Sequence, residues 1–334
     1  MSLRERQEIQ AVPREIGLIR TPLVHVVAGI VRDERGRILL AQRPPGKHLA
    51  GLWEFPGGKS EPGEAPEHAL RRELAEEIGI QSGNVEALIA VPWHYPEKSI
   101  LLDVYSVRDW RGDVHGREGQ ALRWCNLEEM RALPMPPADK PVVAALRLPA
   151  HYPITREPDA DGAAFVRAVR QLLDAGETCI QLRCKTIAPA RLRALAQAVC
   201  ALAAKKGANV LINGDAELAL EAGSGVHLPA GELMRLSARP LPPDRWVAAS
   251  CHDERELAHA AAVGVDFVVL GPVLPTTSHP HAAALGWQRF AELVAAVPLP
   301  VYALGGVGPR DLADAKRAGA HGVAGISGFW PGGG

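Results

Sequence analysis

The chain has no apolar run long enough to span a membrane. Its cysteines are few and scattered. Cys125, Cys179, Cys184, Cys200 and Cys251 form no CxxC pair, and their number is odd. Neither a closed disulfide framework nor a structural zinc site is indicated. Charge of one sign is lacking too: 37 Lys and Arg stand against 38 Asp and Glu, a net charge of −1. No global field therefore draws a nucleic acid polymer or an anionic membrane. Residues 1–20, MSLRERQEIQAVPREIGLIR, are charged and lack the apolar core of a secretory signal. They read as an N-terminal extension, a short leader or packing arm. The expected setting is cytoplasmic, with reduced and buried thiols.

What is present is enough apolar sequence for two cores: 334 residues, 47% hydrophobic and 22% charged. The two halves differ in texture. In the first, Val24–Val31 and Ile38–Leu40 are β-rich, and Asp33-Glu34-Arg35-Gly36 between them reads as a hairpin turn. Further strands are expected near 86–91, 100–107 and 122–125, and short helices over 127–132 and 138–146. This is an α+β pattern, expected over residues 1–148. Residues 147–153, RLPAHYP, read as a linker. Beyond it, over 149–334, apolar runs alternate with alanine-rich amphipathic segments. Eight strands are expected near 152–155, 179–183, 210–213, 225–228, 246–250, 267–271, 301–304 and 322–326. Such alternation predicts right-handed βαβ units and a closed (β/α)8 TIM barrel. The last strand is followed only by SGFWPGGG, so no eighth outer helix is evident. Phe329 and Trp330, or the first domain, are the groups left to cover that gap.

One stretch of the first half is chemically distinctive. GGKSEPGEAPEHALRRELAEEIGI, from Gly57 to Ile80, crowds carboxylates onto a short helix behind a glycine loop. Glu73, Glu76 and Glu77 stand at i, i+3 and i+4 and share one face, where like charges repel. Leu70, Leu74 and Ile78 form the opposite, apolar stripe. Pro66 suits the first turn and Gly79 the position just past the end. An oxygen-rich face of this density is most simply neutralised by a divalent cation. Mg²⁺ is favoured, because it completes its octahedron with substrate phosphates; Mn²⁺ accepts similar donors.

The order of these residues is G-x5-E-x7-R-E-U-x-E-E-x-G-U, with U aliphatic, and it resembles the Nudix box at every position. The resemblance extends over about residues 22–147 and is MutT-like. Leu52 to Lys59 (LWEFPGGK) and Gly116 to Gln120 (GREGQ) match flanking elements. It implies a mixed-sheet Nudix fold with a loop–helix–loop. It also implies hydrolysis of a small-molecule nucleotide at its pyrophosphate, of the 8-oxo-dGTP diphosphatase kind that sanitises nucleotide pools and so serves DNA repair. By the same resemblance Gly57 (through its carbonyl), Glu76, Glu77 and Glu118 hold the metal. Glu73 orients or deprotonates the water at that metal, Glu64 joins the network and Arg72 orients the acids. Arg43 contacts phosphate. Where such enzymes read the purine with an Asn, this chain has Asp139, in Pro136-Pro137-Ala138-Asp139. An ionised Asp accepts but does not donate. A base reader and a helix N-cap are the two readings of Asp139. Trp93, His94 and Tyr95 are read either as base-stacking groups or as core.

In the second half, chemistry-bearing residues fall at the expected C-terminal strand ends, where barrel enzymes place their sites. They are Gln181, Arg183 and Lys185 after the second strand, Asn213 after the third, and Ser250 and His252 after the fifth. Thr276 and Ser278 follow the sixth, Gly306 the seventh, and Ile326 and Ser327 end the eighth. The QLRxK, GVHL, GPxxPTTS and GG motifs resemble thiamine phosphate synthase and its thiazole tautomerase relative. The resemblance implies a pyrimidine pyrophosphate on Gln181, Arg183 and Lys185. It implies a thiazole phosphate on Gly306, Ile326 and Ser327, with Ser250, Thr276 and Ser278 lining the pocket. Three positions depart from that pattern. Gly214 stands where a metal-binding Asp is expected, with Asp215 one residue on; Glu232 replaces a second Asp, and His279 a Lys. Besides synthesis, two readings stay open for the barrel: proton transfer in a thiazole phosphate with His252 as acid/base, or non-catalytic binding of a thiamine-precursor phosphate. A Nudix domain acting on a thiamine-pathway pyrophosphate is the linked alternative. Oligomeric state is not legible.

Overall fold

The computed structural model describes residues 23–158, 162–276 and 283–330. Two compact units divide between Arg147 and Leu148.

The first unit begins with β1 (Leu23–Val31), β2 (Ile38–Gln42), β3 (Trp53–Glu54), β4 (Gly57–Lys59) and α1 (Pro66–Ile78). It continues with β5 (Gln81–Ser82), β6 (Val85–His94), β7 (Ser99–Val107), β8 (Trp110–Arg111), β9 (Leu122–Cys125), α2 (Leu127–Arg131), a 3-10 turn (Pro137–Asp139) and α3 (Lys140–Arg147). The main sheet runs β4-β1-β7-β6. Its β1–β7 pair is parallel and the others antiparallel, so the sheet is mixed. Period-two alternation along β1 sends Val27 and Val31 into one core with Leu70, Leu74 and Ile78 of α1. It sends Ala28 and Ile30 to a second core with Met130 of α2 and Val142 of α3. Gly29 lets the helix approach: a Cβ there would lie 3.2 Å from a Leu74 methyl. Gly79 ends α1 in the left-handed conformation, φ 75°, donating its N–H to the Leu74 carbonyl.

The second unit holds β10 (His151–Pro153), α4 (Gly162–Asp174), β11 (Cys179–Leu182), α5 (Pro189–Ala204), β12 (Asn209–Asn213), α6 (Ala216–Glu221), β13 (Gly225–Leu228) and α7 (Ala230–Leu233). Then follow β14 (Val247–Cys251), α8 (Glu254–Val263), β15 (Phe267–Leu270), α9 (Gly286–Ala295), β16 (Val301–Leu304), α10 (Leu312–Arg317) and β17 (Gly322–Gly325). The eight strands are parallel, in the order β10-β17-β16-β15-β14-β13-β12-β11. A bridge from Ile154 to Gln181 brings the two ends together, so the barrel nearly closes. Alternate residues such as Ile180, Ile212, Val226, Val268 and Val323 face the helical layer. The rings of Tyr152, Phe267 and Tyr302 meet in the interior at centroid distances of 5.2 to 5.7 Å. As expected, no helix follows β17 among the described residues. Phe329 and Trp330 pack on the barrel core, and Trp330 stands 5.4 Å from the Phe165 ring of α4.

The linker expected over 147–153 is corrected. His151, Tyr152 and Pro153 are already barrel strand, in register with Val323, Ala324 and Gly325. The carbonyls of Leu148 and Pro149 accept from His321 and Tyr302. The prolines made the segment look like a connection, whereas a first barrel strand needs pairing on only a few residues. The N-terminal extension lies outside the described residues. All five cysteines are free, and Cys125, Cys179 and Cys251 are buried.

Because Leu74 is fully buried between α1 and β1, Leu74→Ala is expected to destabilise the first unit by about 2–5 kcal/mol. Urea unfolding followed by hydrogen exchange of β1 amides measures it; a loss under about 0.5 kcal/mol would contradict this packing.

Candidate functional site

In the first unit the site is built where α1 lies against β4. Gly57 adopts φ +152°, and a Cβ there would come within 2.1 Å of the Val27 carbonyl oxygen. A Cβ on Gly58 would lie 2.2 Å from a Glu73 carboxylate oxygen. Bare backbone is therefore what lets Glu73 rest on the strand. The Gly57 N–H donates to Glu77 Oε2 at 3.0 Å.

Arg72 occupies the centre of the acidic cluster. Its Nε and Nη2 donate to Glu64 at 3.1 and 2.8 Å, and Nη1 donates to Glu73 at 2.8 Å and Glu76 at 3.2 Å. Nη2 also reaches the Lys59 carbonyl at 3.1 Å. These bonds raise the Arg72 pKa above its ordinary value. The same contacts, with the Glu61 N–H, hold the Glu64 carboxyl down at about 2. Glu77 is the opposite case. Burial pushes it up to about 7, against the Gly57 N–H, and the charges of Glu54, Glu118 and Glu73 push the same way. Glu118 lies apart from Arg72, bound by Lys47 Nζ at 2.7 Å.

Among the described residues no three His, Cys, Asp or Glu side chains are placed to hold an ion. The reason is that Arg72 stands between Glu64, Glu73 and Glu76, while Lys47 engages Glu118. The donor chemistry nevertheless fits a hard divalent cation: Glu73, Glu76, Glu77, Glu118 and the Gly57 carbonyl offer oxygen alone. Glu77 in particular is an anion that its surroundings leave undercompensated.

A second cluster lies beyond β3. Arg43 donates from Nε to the His48 carbonyl at 2.6 Å and from Nη1 to Glu54, leaving Nη2 for an anion. Glu54 is raised in pKa by burial, with Arg43 opposing. Asp139 is 5% exposed. Burial, then the charge of Glu54, raises it well above the carboxylate range, with the Phe55 N–H opposing. The Asp139 carboxyl accepts from the Phe55 N–H, which ties it to the segment after β3. Tyr95 stands edge-on to His48 at 5.4 Å. Burial, then Asp139, pushes its phenol to about 12. Trp93 and Tyr95 pack against the second core, and His94 bonds Ser99 at 2.8 Å. Sequence reasoning passed over Glu54, Lys47 and this grouping, because β3 and the Pro137 turn are far apart in the chain. The one available signal was an acid between the aromatic residues Trp53 and Phe55.

In the barrel, Gln181 is 2% exposed and lies inside, with its amide on Tyr152. Arg183 is half-buried at the mouth, and its N–H donates to Thr155 Oγ1 at 2.9 Å. Lys185 is exposed, its N–H held by Glu157 at 2.6 Å. Asn213 ends β12. Asp215 turns away to cap α6, accepting from the Leu218 N–H at 2.8 Å. Glu232 leans over Gly214, its carboxylate 3.4 Å from where a Cβ would stand. Ser250 Oγ lies 2.8 Å from His227 Nε2. His252 Nδ1 lies 2.8 Å from Glu256, which also accepts the His252 N–H at 2.7 Å. Gly305 and Gly306 are both left-handed, φ 92° and 69°. A Cβ on Gly306 would strike Leu274 and Pro275 at 2.7 Å, so the loop bearing Thr276 closes on bare backbone. Ile326 and Ser327 follow the neighbouring strand. Ser278 and His279 lie outside the described residues. Of the expected barrel residues, the structure brings Gly306 beside the 274–276 loop; Gln181 it places inside.

A family model described as "Thiamine monophosphate synthase" matches residues 151–329, and a NUDIX domain model matches 27–145. The chain belongs to both families. Its Nudix domain is 44% identical over 124 residues to the 8-oxo-dGTP diphosphatase of Haemophilus influenzae, covering 37% of this chain and 91% of that protein. It is 43% identical over 123 residues to the CTP pyrophosphohydrolase of Escherichia coli, covering 37% and 90%. The synthase-family barrel is 35% identical over 179 residues to the thiamine-phosphate synthase of Methanoculleus marisnigri, covering 53% and 85%. Both are enzyme families, and the protein is a two-domain enzyme.

Asp139→Asn tests the buried cluster. A carboxyl whose folded pKa is raised stabilises fully only below its unfolded value, and that contribution is lost as pH rises through the folded value. The neutral variant is therefore expected to be more stable than wild type above about pH 4, with the gain growing as pH rises. Thermal unfolding across pH checks it; a gain that shrinks with pH would contradict it.

Proposed function

We propose that the Nudix domain hydrolyses purine deoxynucleoside triphosphates, oxidised ones included, at a phosphoanhydride, with Mg²⁺ as cofactor. The observation that carries this reading is the gathering of Glu64, Glu73 and Glu76 about Arg72, with Glu77 beside them, against bare Gly57–Gly58 backbone. Gly57, Glu73, Glu76, Glu77 and Glu118 would hold the cation. Bound there, it would offset charge on the phosphate oxygens and acidify the attacking water. Glu73, fixed by Arg72 on one oxygen, keeps the other to orient that water and take its proton. Arg43 Nη2 and Lys47 face the anionic chain of the substrate. Asp139 kept neutral by burial acts as a donor, as an Asn amide does, and reads the base. The names of the two bacterial relatives make CTP the competing substrate, and thiamine diphosphate is the pathway-linked one.

For the barrel we propose a thiamine-precursor phosphate as ligand. It would be held at the Gly306 backbone and Ile326–Ser327, with His252 as the proton-transfer group. Glu256 supports this second role by taking Nδ1, which leaves Nε2 facing outward as the base. Synthesis of thiamine phosphate is the other reading, on the family match. Against it stands the capping role of Asp215, which leaves Glu232 without a carboxylate partner at that corner.

Two experiments test these readings. Glu77→Gln is expected to lower Mg²⁺-dependent turnover of 8-oxo-dGTP, dGTP, CTP and thiamine diphosphate by at least about a thousandfold. It should also abolish the rise in melting temperature that Mg²⁺ gives wild type; unchanged turnover would remove the assignment. The whole chain given thiazole phosphate in D₂O should exchange a carbon-bound proton, and His252→Asn should stop it. Formation of thiamine phosphate from thiazole phosphate and the pyrimidine pyrophosphate would instead establish synthesis.

A further inference from the structure

The barrel interior contains a polar chain that its hydrophobic packing does not need. Tyr152 is fully buried and His227 is 1% exposed. The phenol oxygen lies 3.2 Å from His227 Nδ1, and His227 Nε2 lies 2.8 Å from Ser250 Oγ. The amide of Gln181, itself buried, bonds the phenol from behind. The chain ends on Ser250, which is half-buried at the C-terminal end of β14.

The protons in this chain have one favoured direction. A phenol is a far stronger acid than a neutral imidazole N–H or an alcohol, and an unprotonated imidazole nitrogen is the best acceptor present. The phenol O–H therefore points at His227 Nδ1. Burial, then the charge of Arg183, holds His227 down at about 3, so the ring is neutral in the working range. With Nδ1 accepting, the single ring proton sits on Nε2 and is donated to Ser250 Oγ. The serine hydrogen then has no inward partner and turns to the mouth.

We propose that Tyr152 and His227 are positioning residues that commit Ser250 to donate its hydrogen to the barrel's ligand, so that the barrel selects an unprotonated acceptor atom, a phosphoryl oxygen or a bare ring nitrogen, at that point. Ser250 is then no nucleophile, because the imidazole next to it donates instead of accepting. This rests on the barrel reading above for the ligand class, but not for the direction of the relay.

The relay is tested on the ligand-free whole chain by ¹⁵N NMR of labelled histidines, with His227 assigned by its loss in His227→Gln and by its displacement in Tyr152→Phe. His227 should show a pyrrole-type Nε2 and a pyridine-type Nδ1, unchanged from pH 5 to 9. A protonated Nδ1, or a ring that titrates in that range, would overturn the proposal. Calorimetry with thiazole phosphate, thiamine phosphate and inorganic pyrophosphate gives the second arm. Ser250→Ala and Tyr152→Phe should each weaken binding by about tenfold. The double variant should be no weaker than Ser250→Ala, and Ser250→Thr should restore affinity. Equal loss for pyrophosphate identifies a phosphoryl oxygen as the acceptor; loss confined to thiamine phosphate identifies a pyrimidine nitrogen, and loss confined to thiazole phosphate the thiazole nitrogen, which is quaternised in thiamine phosphate. Full affinity in both single variants would overturn the selection. If none of the three probes binds wild type, the ligand reading and the selection built on it fail, and the spectra still decide the relay.

Discussion

The Nudix half depends on one guanidinium. Helix α1 carries Glu73, Glu76 and Glu77 on a single face, an arrangement that repels itself. Arg72 reconciles it with a folded state by donating to Glu64, Glu73 and Glu76 together. Its planar fork suits this task, since several carboxylates are met by fixed donors on one rigid plane. The apolar stripe of the same helix, buried against β1, fixes where that plane stands. Glycine at 57 and 58 then lets the acids approach the backbone closely. Glu77 is left outside the fork, half-buried and undercompensated, and a bound cation would offset that deficit.

The barrel handles buried polarity differently. Its interior has no carboxylate cluster among the expected residues, and its order comes from neutral groups arranged donor to acceptor. His227 is kept neutral by burial, and Tyr152 sets its proton. His252 by contrast is exposed, with one ring nitrogen fixed by Glu256 and the other open. The two histidines thus differ in setting: one is enclosed between two partners, the other is exposed with one ring nitrogen open. Burial and partner decide how the same residue type behaves.

Much of this was legible before any coordinates. The Nudix box specifies a helix, its stop and its acidic face in one segment, because all the constraints are local. The eight barrel strands were legible because each is a short apolar run between helical periods. Less legible was whatever depends on distant chain segments. The Glu54–Arg43–Asp139 grouping joins β3 to a turn more than eighty residues on, and no spacing rule reaches that far. Arg72 was read as orienting the acids, but its reach to Glu64, Glu73 and Glu76 together was not. Asp215 is a different lesson. An Asp just before a helical Ala-Glu-Leu is a cap signal, and reading it so would have shown at once that it leaves the pocket. The supposed linker misled because Pro149 and Pro153 dominate a segment in which three residues suffice for a strand.

The central claim is that the acidic face of α1 is ordered by Arg72 so that a divalent cation can bridge it to phosphate. Crystals of the whole chain grown with Mn²⁺ and a non-hydrolysable dGTP analogue, measured at the manganese absorption edge, test it most directly. The account expects an anomalous peak about 2 Å from oxygens of Glu76 and Glu77, with the phosphates on its far side and Arg72 still on Glu64. No peak there, with the nucleotide bound and Glu73 and Glu76 still closed on Arg72, would contradict it.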